Sequence, residues 1–258
     1  MTDFPPIPER IRPQIDAYWA SFLDCQPDLL YPAQTSTLWA ENSPGLLGLQ
    51  TAQQGLFALH PGLTTLTAAG LLADMVPLLD SSHPHAAYAW PHAVQQQLRL
   101  RAFADIYGPA YILYCPQVLM QPPHSLVIHL LDEQDQPWVQ QFQQEIGAVV
   151  WHLDQPHLWP RICGIFQDGQ LVAAGAVRCW GNKIGEIFVD TLPHYRNRGY
   201  AKALVSELTA WVLRETTWLP QYDAEIHNVP SLRVAHAVGY AYYGMLLLGS
   251  LVAQPLEQ

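Results

Sequence analysis

Val189-Asp190-Thr191-Leu192-Pro193-His194-Tyr195-Arg196-Asn197-Arg198-Gly199-Tyr200-Ala201-Lys202-Ala203-Leu204 reads as a strand that runs through a short loop straight into a helix. Ile187, Phe188 and Val189 form an apolar, β-prone run, and Pro193 ends it. Beyond the loop, Leu204, Leu208, Trp211 and Val212 fall at helical spacing, which predicts a helix over 197–214. The first backbone N–H groups of such a helix have no partner within it. Their partial positive charge makes an anion site, most naturally for phosphate. Gly199 has no Cβ, so a bulky ligand can approach the main chain there, and Ala201 keeps the first turn slim. Arg196, Arg198 and Lys202 add positive charge; they are three of only twelve Lys and Arg residues in a chain of net charge −10. Taken alone, Arg-x-x-Gly-x-Ala is equally an ordinary helix start with solvated arginines, because short motifs match by chance.

The surroundings decide between those readings. Upstream, 125–131 reads as a strand and 136–146 as a helix. Residues 162–166 and 171–179 flank Gln167-Asp168-Gly169-Gln170, a strong hairpin signal. Trp180-Gly181-Asn182-Lys183 makes a second turn into a strand over 184–190. Downstream, 220–226 reads as a strand and 231–238 as a short helix capped by Gly239, and 240–248 as the last strand. The order is an antiparallel meander, a crossover helix and a strand that must pair in parallel across it.

Arg196-x-x-Gly199-x-Ala201, followed by helix, strand, Asn228-Val229-Pro230-Ser231 and Gly239-Tyr240, resembles the GNAT superfamily of N-acetyltransferases. The resemblance covers roughly 125–251 and is most specific over 186–240. It implies a GNAT-type α/β fold (an α+β mixed sheet) in the C-terminal half, acetyl-CoA as cosubstrate and no metal. The loop of Arg196, Asn197, Arg198, Gly199, Tyr200, Ala201 and Lys202 would hold the pyrophosphate. The strands 184–190 and 223–227 would splay apart. The pantetheine arm would enter between them along the main chain at Phe188 and Val189, with the Val189 N–H donating to the thioester carbonyl and Asn228 binding the pantetheine amide. Glu186 is the first choice for the general base. It precedes Arg196 by ten positions, the offset at which the histone-acetyltransferase branch keeps a catalytic glutamate, and a carboxylate in a mostly apolar strand has a raised pKa. Asp190 and His227 are the alternates. For the acid, many members place a tyrosine seven residues after the asparagine; here that position is Ala235. Ser231 matches instead the Asn-x-x-Ser pattern of the branch resembling ribosomal-protein N-terminal acetyltransferases, where serine takes that role, with Tyr240 or Tyr242 as stand-ins. Ser231 is also well suited to helix capping.

The length of 258 residues suits one large domain or two modest ones, and a hydrophobic share of 50% allows a sizeable core. Charged residues make up 13%, which argues against a disordered chain. The net charge of −10 disfavours a nucleic-acid binder and mildly favours a cationic or amine substrate, but it is more simply a solubility device. Cys25, Cys115, Cys163 and Cys179 form no Cys-x-x-Cys pair, so neither a zinc site nor a disulfide framework is indicated. His83 with His85, and His152 with His157, lack carboxylate or thiol partners at zinc-like spacing. The opening residues carry no basic segment followed by an apolar run, and 245–253 is too short to span a bilayer, so a cytoplasmic setting is the expectation.

In the N-terminal half, 5–13 is rich in proline, 15–23 and 66–79 have helical patterning, 46–59 is a candidate hairpin, 94–103 a helix and 111–114 a strand. Gln121-Pro122-Pro123-His124 is the best linker, which divides the chain into 1–122, a smaller mixed α/β domain, and 123–258, the acetyltransferase domain. The first part has no motif tied to chemistry and its function is open; the resemblance admits a degenerate copy of the fold or a substrate-shaping cap, as some members carry, and the residues do not decide between them. The expected activity is acetyl transfer from acetyl-CoA to a primary amine by direct attack in a ternary complex, on a small molecule or peptide, by a monomer or homodimer with no nucleic-acid or membrane partner. The competing expectation is a non-catalytic acyl-CoA sensor, which Ala235 admits. A nucleotide-binding protein of another fold lacks support, since neither Gly-Lys-Ser/Thr nor Gly-x-Gly-x-x-Gly occurs.

Overall fold

The structure is a computed structural model that describes residues 4–32, 36–41, 43, 45–51, 55–59, 61, 103–123, 125–147 and 157–251. The helix expected over 66–79 and all but the last residue of the one over 94–103 lie outside them, as do His83, His85 and His152. In chain order the elements are α1 (Arg12–Phe22), β1 (Ser36–Trp39), β2 (Gly45–Gln50), β3 (Gly55–Leu59), β4 (Phe103–Tyr114), β5 (His129–Leu130), α2 (Gln136–Ile146), β6 (Arg161–Gln167), β7 (Gln170–Trp180), β8 (Ile184–Thr191), α3 (Tyr200–Glu215), β9 (Leu219–Glu225), α4 (Val229–Val238) and β10 (Ala241–Leu251). This is the mixed α/β class that the sequence leads one to expect.

The chain falls into two compact units. One takes the residues up to Pro8, Leu113–Asp223 and Asn228–Tyr242; the other takes Glu9–Ile112, Ala224–His227 and the chain from Tyr243 onward.

In the first unit the strand order is β5-β6-β7-β8-β9. The pairs β5/β6, β6/β7 and β7/β8 are antiparallel, and β8/β9 is parallel, the crossover being α3. Both tight turns are built from left-handed residue pairs, Asp168 and Gly169 (φ 50° and 80°) and Gly181 and Asn182 (φ 54° each). The two-residue hairpin over 168–169 requires that geometry to match the strand twist; the turn from β7 to β8 spans three residues, 181–183, with the Lys183 N–H closing on the Trp180 carbonyl at 3.0 Å. On one face of the sheet α2 places Val139 and Phe142 against Leu171, Ala174, Ala176 and Trp159. The other face carries α3. There Gly175 and Gly185 let the helix come close: a Cβ on Gly175 would lie 3.0 Å from Leu208, and one on Gly185 3.0 Å from Val212.

In the second unit the order is β1-β3-β2-β10-β4, with β1 parallel to β3 and β2 antiparallel to both β3 and β10. Helix α1 buries Ile15 and Trp19. Its Asp16 accepts hydrogen bonds from the hydroxyls of Tyr31 (2.6 Å) and Tyr243 (3.0 Å).

Two expected elements come out differently. The strand anticipated over 125–131 is reduced to His129–Leu130, because the Leu126 N–H turns back to the Pro123 carbonyl and pairing with β6 begins only at His129, with the Leu131 N–H adding one bond to the Ile162 carbonyl at 2.9 Å. The crossover helix begins at Tyr200 rather than at 197, because Asn197 (φ 63°) and Gly199 (φ 85°) are both left-handed.

Candidate active site

Strands β8 and β9 pair through only three positions, Ile184 with Leu219, Gly185 with Pro220 and Glu186 with Gln221. Beyond these, β8 runs on to Thr191 and β9 to Glu225 without pairing to each other. The edge of β8 that faces β9 is therefore open from Ile187 onward, where an extended ligand can take up main-chain hydrogen bonds.

The loop after β8 is pinned by its own arginines. Arg196 Nε donates to the Thr191 carbonyl at 3.2 Å, and Arg198 Nη2 to the His194 carbonyl at 3.4 Å. The Arg198 guanidinium lies 4.9 Å from the centre of the Tyr195 ring. The first helical hydrogen bond is from Ala203 N–H to the Gly199 carbonyl, at 3.0 Å. Among the described residues, the N–H groups of Asn197 through Lys202 have no acceptor, so they form a cluster of free donors at the positive end of the α3 dipole. A Cβ built on Gly199 would meet nothing within 4 Å.

Helix α4 closes the site. Asn228 caps it, its Oδ1 accepting from the Ser231 N–H at 3.2 Å, and Gly239 (φ 111°) ends it. The three elements enclose a cavity of about 660 Å³. Strand β8 lines it with Val189, Asp190 and Thr191, the loop with Tyr195, Arg196, Asn197 and Gly199, and α3 with Tyr200, Ala201 and Lys202. Tyr222 of β9 and Asn228, Ser231 and Arg233 at α4 complete it. Free N–H donors, three basic side chains, an open strand edge and space over Gly199 suit a diphosphate with an extended amide-bearing arm, the chemistry of coenzyme A. Among the described residues no group of three His, Cys, Asp or Glu is placed to hold a metal ion.

Of the residues expected to hold the cofactor, Val189, Arg196, Asn197, Gly199, Tyr200, Ala201, Lys202, Asn228 and Ser231 come together around this one cavity. Phe188 and Arg198 are not in its lining. Phe188 packs with the α2 face, its ring 5.4 Å from that of Trp159, and Arg198 is folded onto Tyr195.

The expected catalytic residues are placed differently from one another. Ser231 is in the cavity lining, with its Oγ 2.8 Å from the Tyr222 hydroxyl. Glu186 sits where β8 and β9 part, and its Oε2 accepts from Trp180 Nε1–H at 2.6 Å. Arg178, its cross-strand partner, lies 4.0 Å from the centre of the Trp180 ring. Burial lifts the Glu186 carboxyl above the ordinary carboxylate range, against the pull of Trp180 and Arg178. Burial, then the charge of Glu186, lift Asp223 well above that range, against the hydrogen bond from Gln221 Nε2 (3.2 Å). Tyr240 is fully buried and outside the lining. Thr209 Oγ1 donates its single proton to the Val205 carbonyl (2.6 Å), so Tyr240 must be the donor in its 2.8 Å bond to Thr209. Asp190 lines the cavity and is also raised by burial, with Arg196 opposing. His227 is exposed and pairs with Glu225 at 3.1 Å. Ala235 is buried in α4.

Sequence reasoning passed over Tyr222, Arg233 and Asp223. No local signal marks them; Tyr222 and Arg233 reach the cavity through the parting of β8 from β9 and the turn into α4, and Asp223 acts on Glu186 by its charge.

Residues 163–245 match the family model of the GNAT acetyltransferases. Similar solved structures include a protein from Novosphingobium aromaticivorans assigned to the GNAT family (18% identity over 58% of this chain and 67% of that one, TM-score 0.50). Others are an acetyltransferase of the GNAT family from Colwellia psychrerythraea (15% identity over 76% of each chain, TM-score 0.48) and an N-acetyltransferase-like protein from Streptococcus suis (18% identity over 93% of this chain and 99% of that one, TM-score 0.47). No curated protein sequence matches the chain significantly. The parted β8/β9 pair, the donor cluster at α3 and the family match over 163–245 together identify a GNAT acetyltransferase domain in the C-terminal half of this chain.

Proposed function

We propose that the protein transfers an acetyl group from acetyl-CoA to a primary amine by direct attack within a ternary complex, in the cytoplasm. The observation that carries this reading is the single cavity that joins the free N–H groups of 197–202 to the open edge of β8. The N–H cluster, with Arg196, Lys202 and Arg233, binds the phosphates; the edge of β8 at Val189 and the side chain of Asn228 bind the pantetheine amides. Acetyl-CoA supplies the activated acyl group. Glu186 accepts the proton that the amine gives up as its nitrogen bonds to the carbonyl carbon, directly or through water; its raised pKa brings it nearer to that task at neutral pH. The Val189 N–H donates to the carbonyl oxygen as negative charge builds there. Ser231 delivers a proton to the sulfur as the carbon–sulfur bond breaks.

The test is an amine panel scored for coenzyme A release, with mass analysis of the acetylated product, beside thermal denaturation with and without acetyl-CoA. A rise in Tm with saturating acetyl-CoA and turnover on at least one amine are expected. Binding without turnover on any amine would support the sensor reading that Ala235 admits, and no rise in Tm would end both.

A further inference from the structure

Ser231 and Tyr222 form a bond whose direction can be worked out. Tyr222 is 3% exposed, and among the described residues its hydroxyl has one hydrogen-bond partner, Ser231 Oγ at 2.8 Å. Either oxygen can be the donor by distance alone. If the serine donated, the phenolic O–H would be left without an acceptor in a buried site, with the desolvation of that donor uncompensated. If the phenol donates, its proton is used, and the serine proton is the one left over. That proton belongs to a half-buried hydroxyl in the cavity lining, where a ligand can receive it. The second arrangement is favoured.

The surroundings hold it there. The Ser231 backbone is fixed by its N–H bond to Asn228 Oδ1 at the head of α4. The Tyr222 ring lies against that of Tyr240, 5.5 Å between centres, and Tyr240 is tied to Thr209 of α3. Burial raises the Tyr222 phenol to about 12, with the Asp190 charge adding to the effect and the Ser231 bond opposing it, so the phenol keeps its proton throughout the neutral range.

We infer that Tyr222 is a positioning residue: its buried phenol donates to Ser231 Oγ and so directs the serine's own O–H into the cavity, as the hydrogen-bond donor to the sulfur of coenzyme A. This rests on the acyl-transfer reading above. In the transfer step the serine proton passes to the sulfur as the carbon–sulfur bond breaks. The serine oxygen, held by the phenolic O–H, regains a proton from water before the next turnover. The phenol itself is not consumed.

The experiment compares wild type with Tyr222→Phe, Ser231→Ala, Ser231→Thr and the combinations of Tyr222→Phe with each serine variant. Each is first checked for a cooperative unfolding transition; Ser231→Ala, which leaves the buried phenol without its acceptor, should melt lower than wild type. Two readouts are taken, steady-state turnover, and the thiolate fraction of bound coenzyme A followed by ultraviolet absorbance against pH. Tyr222→Phe should lower kcat by about ten- to a hundredfold, as expected for a misdirected group, with little change in KM for acetyl-CoA. It should also leave roughly tenfold less thiolate at a given pH. Ser231→Ala should do the same, and adding Tyr222→Phe to it should change nothing more, because the two act as one unit. Ser231→Thr should retain activity and stay sensitive to Tyr222→Phe. Independent, multiplying effects of Tyr222→Phe and Ser231→Ala, or a Tyr222→Phe protein with wild-type kcat and thiolate fraction, would overturn the inference. A wild type that binds coenzyme A but acetylates no amine refutes the acyl-transfer reading alone, and the thiolate readout then still decides the role of Tyr222. Failure to bind coenzyme A overturns both.

Discussion

Gly199 carries two separable loads, a left-handed backbone and an open approach to the N–H cluster, and a pair of substitutions tells them apart. At φ 85° a β-branched side chain is strained, by about 1–2 kcal/mol. At roughly 2–4 °C of Tm per kcal/mol, Gly199→Val should melt about 2–8 °C lower than wild type. Asparagine tolerates the left-handed region, so Gly199→Asn should melt within about 2 °C of wild type. Both side chains project into space that is open within 4 Å, over donors that have no acceptor among the described residues. If phosphate oxygens sit there, either side chain displaces at least one charge-assisted hydrogen bond of about 1.5–3 kcal/mol, which is about 10- to 150-fold in Kd. Isothermal titration with acetyl-CoA, paired with a melting curve on the same sample, measures both loads. A folded Gly199→Asn protein that binds acetyl-CoA as tightly as wild type would refute the phosphate cradle.

Glu186→Gln keeps the shape and the Trp180 hydrogen bond while removing the proton acceptor, so kcat should fall by about a hundredfold or more with Kd for acetyl-CoA nearly unchanged; equal kcat would place the base elsewhere. Burial raises the folded pKa values of Glu186, Asp190 and Asp223 above the ordinary carboxylate range of about 4. The folded state thus holds more protons than the unfolded one above that range, so their contribution to stability is full below about pH 4 and is lost as pH rises through the raised values. A Tm profile across that window should slope downward from these groups, and Asp223→Asn should flatten it; an unchanged slope would contradict the burial of these carboxyls. Phe142, 2% exposed in the core under α2, should cost about 3–5 kcal/mol on replacement by Ala, read from urea unfolding.

Where local chemistry dictates the backbone, the sequence is a reliable guide. Asp168-Gly169 and Gly181-Asn182 stand at the only positions between β6, β7 and β8 where left-handed pairs are needed, and Gly147 and Gly239 end α2 and α4 at the expected residues. The helix over 136–146 emerges with those same limits. The loop from Arg196 to Lys202 was legible for the same reason, since free donors at a helix start are a property of the helix itself. What local pattern does not encode is which edge a strand meets. The stretch 125–128 looks like strand yet folds into a turn, and β4 extends back to Phe103 through Gly108 and Pro109, residues that mask its continuity. Arg198 reads as cationic lining until Tyr195 is known to lie beneath it. Tyr222 sits in an unremarkable run, Gln221-Tyr222-Asp223, and reaches Ser231 only because the chain reverses between β9 and α4.

Gly175 and Gly185 act as a shim beneath α3. Whatever occupies them sets how high that helix rides above the sheet, and therefore where its leading amides stand relative to the exposed border of β8. An alanine at Gly185 presses on Val212 of the helix, and one at Gly175 presses on Leu208 and also on the Phe188 carbonyl of β8, 2.9 Å away, so either shifts the leading amides of α3 against that border. The placement of those amides is thus set from two positions buried beneath the helix rather than at its exposed start.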